Sequence, residues 1–570
     1  MGASQSTNLW PANIKAIAAK YNQSILGQNT FVFDASMDMK EVQLLIDSIH
    51  AFQTSTNSEF CKDRFALLFK PGTYQLNIKV GYYMHVMGLG KSPEEVVIVG
   101  SVGATSIRNG VRIGHVLTNF WRAAENITIV PTIDSTNTWA VSQAAPLRRI
   151  HVKGNLKLFD GASSGGFMAN CKIDGTVFSG SQQQWFTRNS SFKNWDGGVW
   201  NMMYVGVTNA PHENWPEKPI TSLQETPEVR EKPYWVFSNN QYFLHIPTTK
   251  KKSIGIDWDK KSNQDKQVSL NAFYIANPNF DDAATINLAL KKGKNILFSP
   301  GIYKLNESLK VTLAGTILFG IGMATLIPVK GNMAIEVSDV DNVTVAGIIF
   351  DAATTPTKLI MQVGQTGSKK NHQLAPTYLY DLFFRVGGEQ ETNVSNCLLI
   401  NSNHVFIDHV WLWRADHGAN VGWNKNIAIN GLVVNGNEVT AYGLFNEHFQ
   451  EYQTIWNGEG GRVYFYQSEM PYDPPSNEIW QHEGIKGYAS YKIANHVKKH
   501  QAWGIGIYGF FNTPLIVDQS IETPAAVENS FYHKVLLLLG WNKETTSVIK
   551  SIINGKGGGV DSNIRKRVME

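Results

Sequence analysis

The sequence predicts an all-β protein built of two tandem parallel β-helices, and three observations carry that expectation. The first is a repeat. Residues Phe65–Tyr74 read FALLFKPGTY and Asn295–Tyr303 read NILFSPGIY, and each runs on into a Gly-x-Gly turn, at His85–Gly90 and Leu318–Gly322. A duplication this long points to two similar domains. The second is strand length. Most of the chain reads as short strands cut by Asn, Gly and Asp, as in Val340–Ala352, Ser402–Asp416 and Asn430–His448. Such strands, recurring every twenty or so residues, suit a solenoid whose coils stack at the strand spacing of about 4.8 Å. The third is the scarcity of helix. Beyond a segment near Ile14–Tyr21, helical patterning is confined to MKEVQLLIDSI and DDAATINLALKKG, one ahead of each Pro-Gly motif.

Taken in chain order, residues 1–29 form an N-terminal segment and 30–247 the first solenoid. Residues 248–270, rich in Lys and Asp, read as a linker. Residues 271–554 form the second solenoid, and 555–570, opening GKGGG, a flexible tail. The helical lead-ins have a physical task. A solenoid end exposes apolar ladders and unpaired backbone groups, and a short helix caps them. A β-sandwich or propeller is the competing all-β reading, but a propeller would repeat every 40 to 50 residues. Two elongated modules leave a seam between them, which is a natural binding site.

At 570 residues the chain has room for two domains of this size, and 17% charged against 43% hydrophobic residues is the balance of a folded protein. Net charge is +4 with no basic stripe, so Lys250–Lys252 and Lys498–Lys499 read as solvated surface rather than nucleic-acid contacts. Cys61, Cys171 and Cys397 fit neither a zinc spacing nor a disulfide framework. No apolar run approaches a membrane span; Val535–Leu539 is strand-sized. GIGIYG at Gly504–Gly509 matches a dinucleotide pattern but has no helix after it, and His404, His409 and His417 lack the spacing of a zinc site. No cofactor and no metal are expected. The composition that matters is 16 Trp, 20 Tyr and 28 Phe, many of the tryptophans beside Asp, Asn or Gln. Aromatic planes rimmed by polar groups suit sugar rings.

Several strings resemble one family. The first half carries Trp139–Gly154, SQQQWFTRNS at Ser181–Ser190 and NWDGGVWNMMYVGVTNAP at Asn194–Pro211. The second carries TLIPV at Thr325–Val329, DHVWLWRADHG at Asp408–Gly418, GLFNEHF at Gly443–Phe449 and Trp456–Asp473. Together these resemble the glycoside hydrolase family 55 exo-β-1,3-glucanases (laminarinases), especially bacterial members, over nearly the whole chain. The resemblance implies two tandem right-handed β-helices side by side. It also implies inverting hydrolysis of β-1,3-glucan from the non-reducing end, with release of mainly glucose. The expected partner is β-1,3-glucan, with no nucleic acid and no membrane, and the chain is expected to be a monomer. The resemblance implies an extracellular enzyme, although the opening residues carry no export-signal pattern.

Glycoside hydrolysis needs a proton donor and, for inversion, a water on the opposite face of the ring. The resemblance makes Glu469, in QSEMPYD, the general acid. Glu447 lies 22 residues earlier, close to one coil, so the two carboxyls are expected on one face in adjacent coils. Two such neighbours cannot both ionise cheaply, which keeps a proton on the pair. No carboxylate stands out as base. The family's water-holding amides match Gln143 and Gln183, which can orient a water but cannot take its proton. Asp416 is a candidate for binding sugar hydroxyls. Trp411, Trp413, Trp195, Trp200, Trp185 and Tyr466 are candidate subsite walls, with some of them expected in the core. Pectin-type chemistry on the same fold would need Ca²⁺ and basic residues, and a non-catalytic glycan-binding solenoid is the third reading.

Overall fold

The computed structural model describes residues 10–22, 24–55, 58–106, 116–259, 265–540 and 546–570. Residues 1–9 of the expected N-terminal segment lie outside them. Among the described residues the protein is all-β apart from short helices, and its strands stack as parallel ladders. In the first half a parallel path runs from Thr30–Phe33 through Phe65–Phe69 and Met84–Gly88 to Ile220–Leu223. In the second half one parallel ladder runs from Phe273–Ala276 to Phe531–Leu539, and another from Leu309–Val311 to Ile521–Glu522. Neighbouring strands belong to successive coils, so each ladder rung lies about 4.8 Å from the next.

The two helical lead-ins sit at equivalent places. Met39–Phe52 buries Val42, Leu45, Ile46 and Ile49, one stripe at helical spacing, and the Asp38 side chain caps it by accepting from the Lys40 amide. Ala283–Lys291 buries Ala283, Ile286, Ala289 and Leu290, and Asp282 caps it through the Thr285 amide. Each helix follows one strand of its ladder rather than preceding it: Thr30–Phe33 pairs with Phe65–Phe69, and Phe273–Ala276 with Asn295–Phe298. The cap is therefore part of the first coil.

Three expected boundaries change. The parallel path of the first half ends at Leu223, and Thr226–Val229, Tyr234–Ser238 and Gln241–Ile246 turn antiparallel. The expected linker 248–270 supplies Lys250–Ser253 and Lys266–Ser269 to those small sheets, Lys250 and Lys251 pairing with Val229 and Glu228. The expected flexible tail is also ordered. Arg567–Met569 pairs antiparallel with Phe531–Leu539 and closes the end of the main ladder, with Val568 buried. This covers an edge that would otherwise stay open. Among the described residues no helix is long and apolar enough to cross a membrane.

A backbone device organises the second half. At one register position of each coil the chain takes a left-handed conformation: Gly347, Asp381, His409, Gly443, Phe465, Gly504 and His533, with φ between 49° and 70°. This turns a corner and resets the in–out alternation. After it, Leu382, Val410, Leu444, Tyr466 and Ile505 point into the coil interior, and Phe383, Trp411 and Phe445 point into the seam. Side chains are rarely tolerated at such φ values. The first half explains why glycine recurs there, since a Cβ on Gly443 would come within 3.0 Å of the Phe167 ring.

The halves meet along this seam. Aromatic rings from both interleave, with Trp121 and Trp411 centroids 5.0 Å apart and Phe167 stacked on His409 at 4.4 Å. Beside them lies a buried ion network. Arg148 grips Asp381 at 2.8 Å and Asp408 at 3.2 Å; Arg188 holds Glu231 at 2.6 Å and Asp408 at 2.8 Å; Lys232 joins Asp381 to Glu125. Every side chain of this group is at most 7% exposed. Buried charges are tolerated only when paired.

Candidate active site

Past the corner, alternate residues of successive strands line up along the seam. Trp413, Glu447, Glu469 and Tyr508 occupy one register column, on Val405–Arg414, Thr440–Glu447, Gly461–Glu469 and His500–Phe510. The two glutamates are therefore direct neighbours on adjacent strands, as their spacing predicted. They open into a cleft of about 420 Å³ whose opposite wall comes from the first half, including Gln143, Ser164, Gln183 and Phe120.

Glu447 is buried and pinned by two N–H donors from different halves. The Gln143 amide donates to its Oε1 at 2.9 Å and the Trp411 indole to its Oε2 at 2.9 Å. The same Gln143 nitrogen also donates to Ser164 Oγ at 3.0 Å, while Gln143 Oε1 is buried without a hydrogen-bond partner in the protein. Glu469 accepts from the Tyr472 hydroxyl and, at 3.4 Å, from the Gln467 amide. Among the described residues no lysine or arginine forms an ion pair with either carboxyl. Burial first, and the Glu469 charge second, lift Glu447 well above the ordinary carboxylate range. Burial also raises Glu469, with Asp416 adding to the rise and His448 and Tyr472 opposing it. Between them the pair retains a proton at a pH where free glutamates have lost theirs. Each carboxyl accepts two hydrogen bonds, Glu447 from Gln143 and Trp411 and Glu469 from Tyr472 and Gln467, so the proton belongs to the pair and not to one of its members.

Asp416 behaves in the opposite way. It accepts from the Trp413 indole at 3.3 Å and meets His417 Nδ1 at 2.8 Å. Burial alone would raise it, but the His417 hydrogen bond and the nearby His448 and His417 charges outweigh burial and hold it well below the usual range. The cleft thus contains one firmly ionised carboxylate beside two that share a proton.

The structure brings Glu469, Glu447, Gln143, Gln183, Asp416, Trp413 and Trp200 to one cleft. Trp411 lies one layer behind and reaches the site only through its indole N–H. Three aromatic candidates lie elsewhere. Trp185 and Trp195 fill the interior of the first stack, Trp195 against Phe192 and Tyr204, and Tyr466 fills the interior of the second. Tyr466 follows the corner at Phe465, where the alternation resets, so counting in twos across that residue assigns it to the wrong face. Sequence reasoning missed Ser164, Tyr472 and Tyr508. Tyr508 was hidden in the GIGIYG string, and only register with Glu469, across an intervening loop, reveals it. His409 and His417 are committed to carboxylates, Asp381 and the Asp416–Glu59 pair respectively.

Residues 273–469 match the family model of the LAM55 pectate lyase-like domain. A protein of Streptomyces sp. (strain SirexAA-E / ActE) described as an exo-beta-1,3-glucanase is 40% identical over 550 residues, covering 95% of this chain and 89% of its own length. The solved structure of sacteLam55A from Streptomyces sp. SirexAA-E superposes with a TM-score of 0.90 at 38% identity, covering 96% of this chain and 98% of that one. A variant of the same protein in complex with glucose matches equally well.

Proposed function

As the chain belongs to glycoside hydrolase family 55, the exo-β-1,3-glucanases, we propose that this cleft hydrolyses laminarin-type β-1,3-glucan from the non-reducing end, with inversion and release of mainly glucose. We read the two stacks as tandem right-handed β-helices and the chain as a monomer. The observation that carries the proposal is a pair of adjacent, cation-free glutamates on the second half facing amides on the first.

In this reading Glu469 donates its proton to the glycosidic oxygen as the bond to the anomeric carbon breaks. Its partner Glu447, which accepts from Gln143 and Trp411, shares that proton and keeps it available near neutral pH. The attacking water sits on the first-half side of the cleft, oriented by Gln143, Gln183 and the Ser164 hydroxyl. Amides cannot accept its proton, so the proton passes to Glu447, the basic group to which Gln143 is bonded. Acid on one wall and water on the other put leaving group and nucleophile on opposite faces of the ring, which is the requirement for inversion. Asp416 accepts sugar hydroxyls, and Trp413, Trp200 and Phe120 supply apolar faces for the rings.

The test is the first-formed product. Incubation with laminarin and NMR detection of the anomeric proton is expected to show α-glucose before mutarotation. A β-anomer appearing first would overturn inversion, and no release of glucose would overturn the substrate assignment.

A further inference from the structure

His417 stands at the edge of the cleft between two carboxylates from opposite halves of the chain. Its Nδ1 meets Asp416 at 2.8 Å and its Nε2 meets Glu59 at 2.8 Å. Glu59 lies in the short Ser58–Phe60 turn of the first half and does not line the cleft. It is itself held in place: its backbone carbonyl accepts from the Tyr83 hydroxyl, and its side chain is 13% exposed. The next residue, Phe60, packs edge-on against the His417 ring at 6.3 Å and lies under the Arg385 guanidinium.

We propose that Glu59 is a positioning residue for the glucanase reaction: reaching across the seam, it locks His417 as an imidazolium and so fixes Asp416 as an oriented anion at the cleft edge. The proposal rests on the functional reading above and assigns a role to a residue that touches no substrate.

The argument is one of donors. An imidazole caught between two carboxylates at 2.8 Å on both nitrogens can satisfy both only when both nitrogens carry hydrogen. The two bonds lift His417 to about 10 against the opposing effect of burial. Loss of the Glu59 charge removes part of what holds the second proton on the ring, and a ring that deprotonates can no longer donate from both nitrogens. That change loosens Asp416. The groups facing this unit are Asp416 and Glu59 on His417 itself, His448, Glu447 and Glu469 around Asp416, and Arg385 with its partner Asp351 beside Phe60. Arg385 is already saturated by Asp351 and the Tyr83 hydroxyl, so it does not replace the lost contact.

The experiment compares wild type with Glu59→Gln, which keeps shape and removes charge. Two readouts are taken: NMR titration of the His417 ring, and steady-state kinetics on laminaritriose. The expected result is a His417 midpoint lower by one unit or more, with KM raised about tenfold, the scale of one charge-assisted hydrogen bond, and kcat changed by less than about threefold. Glu59→Asp is expected to restore most of the His417 midpoint. An unchanged midpoint overturns the proposal, as does a KM unaltered while only thermal stability falls. If Glu59→Gln does not fold, Glu59→Ala carries the same two readouts, and an unaltered KM in a chain whose His417 midpoint has moved is then the overturning result. A wild type inactive on β-1,3-glucan would instead sink the functional reading, and the NMR arm would still decide the positioning of His417.

Discussion

Two stretches of the same seam place carboxylates a few rungs apart and treat them in opposite ways. Around Asp381 and Asp408 every carboxylate meets a guanidinium or ammonium from the other half or the connecting sheets. Burial would raise Asp381, but Arg148 and Lys232 outweigh it and hold it well below the ordinary range; Lys232 and His85 likewise pull Glu125 down to about 2. Around Glu447 and Glu469 the first half offers amides, a hydroxyl and aromatic rings instead, and both carboxyls rise. Glu447 is as buried as the network carboxylates and rises where they fall, so burial alone does not decide. The partner does: a cation makes a fixed joint, and a neutral donor leaves a proton free to move.

The largest effect expected from breaking this contrast is at Glu469. Glu469→Gln removes the mobile proton while keeping shape, and kcat on laminarin is expected to fall by roughly 10²–10⁴-fold, the range for loss of a general acid. A loss under about tenfold would put the chemistry elsewhere. At the joint the same kind of change should cost stability, not chemistry. Arg188→Met leaves Glu231 without its bidentate partner and Asp408 held by Arg148 alone. Breaking a buried pair from one side costs about 3–5 kcal/mol, which denaturant unfolding would register. Adding Glu231→Leu to Arg188→Met is expected to recover most of that loss. A double variant no more stable than the single one would mean that the joint depends on packing geometry and not on charge balance.

The parts of this contrast that the sequence revealed are the local ones. Pro71-Gly72 and Pro300-Gly301 mark equivalent coil starts, and the interval from Glu447 to Glu469 equals one coil because the connection passes through only the short strand Thr454–Trp456. The wall from the first half was legible only through family likeness, since Gln143 and Glu447 are 304 residues apart. Nothing local announces the Arg148–Asp381 pair or the reach of Glu59 to His417. Which tryptophans face the cleft was equally hidden. Strands along the seam are buried on both faces and show no polar–apolar alternation, as the wholly buried Thr440–Glu447 strand illustrates. The left-handed corner at Phe465 then shifts the count by one, which is why Val463 and Tyr466, an odd number of residues apart, both point inward.

The smallest expected effect is also the sharpest, because its sign differs between the two regions. A carboxyl whose folded pKa is depressed adds stability above its unfolded value, and that stability is lost as pH falls through the folded one. Asp381 and Glu125 are of this kind, so neutralising them weakens the protein at neutral pH and matters less in strong acid. A carboxyl whose folded pKa is raised does the reverse: the folded state favours its proton, and holding it ionised costs stability as pH rises from the unfolded value through the folded one. Glu447 and Glu469 are of this kind. Glu469→Gln removes a carboxyl whose ionisation its surroundings oppose and should therefore raise the melting temperature at pH 8 by about 0.5–1 °C, roughly 1 kcal/mol for a chain of this size. At pH 4.5, where the pair is protonated in the wild type as well, the gain should vanish. Differential scanning calorimetry at the two pH values separates the outcomes. An equal shift at both would show that the amide acts by shape, and a fall at pH 8 would show that the glutamate pair contributes to holding the seam together, as the carboxylates of the ion network do.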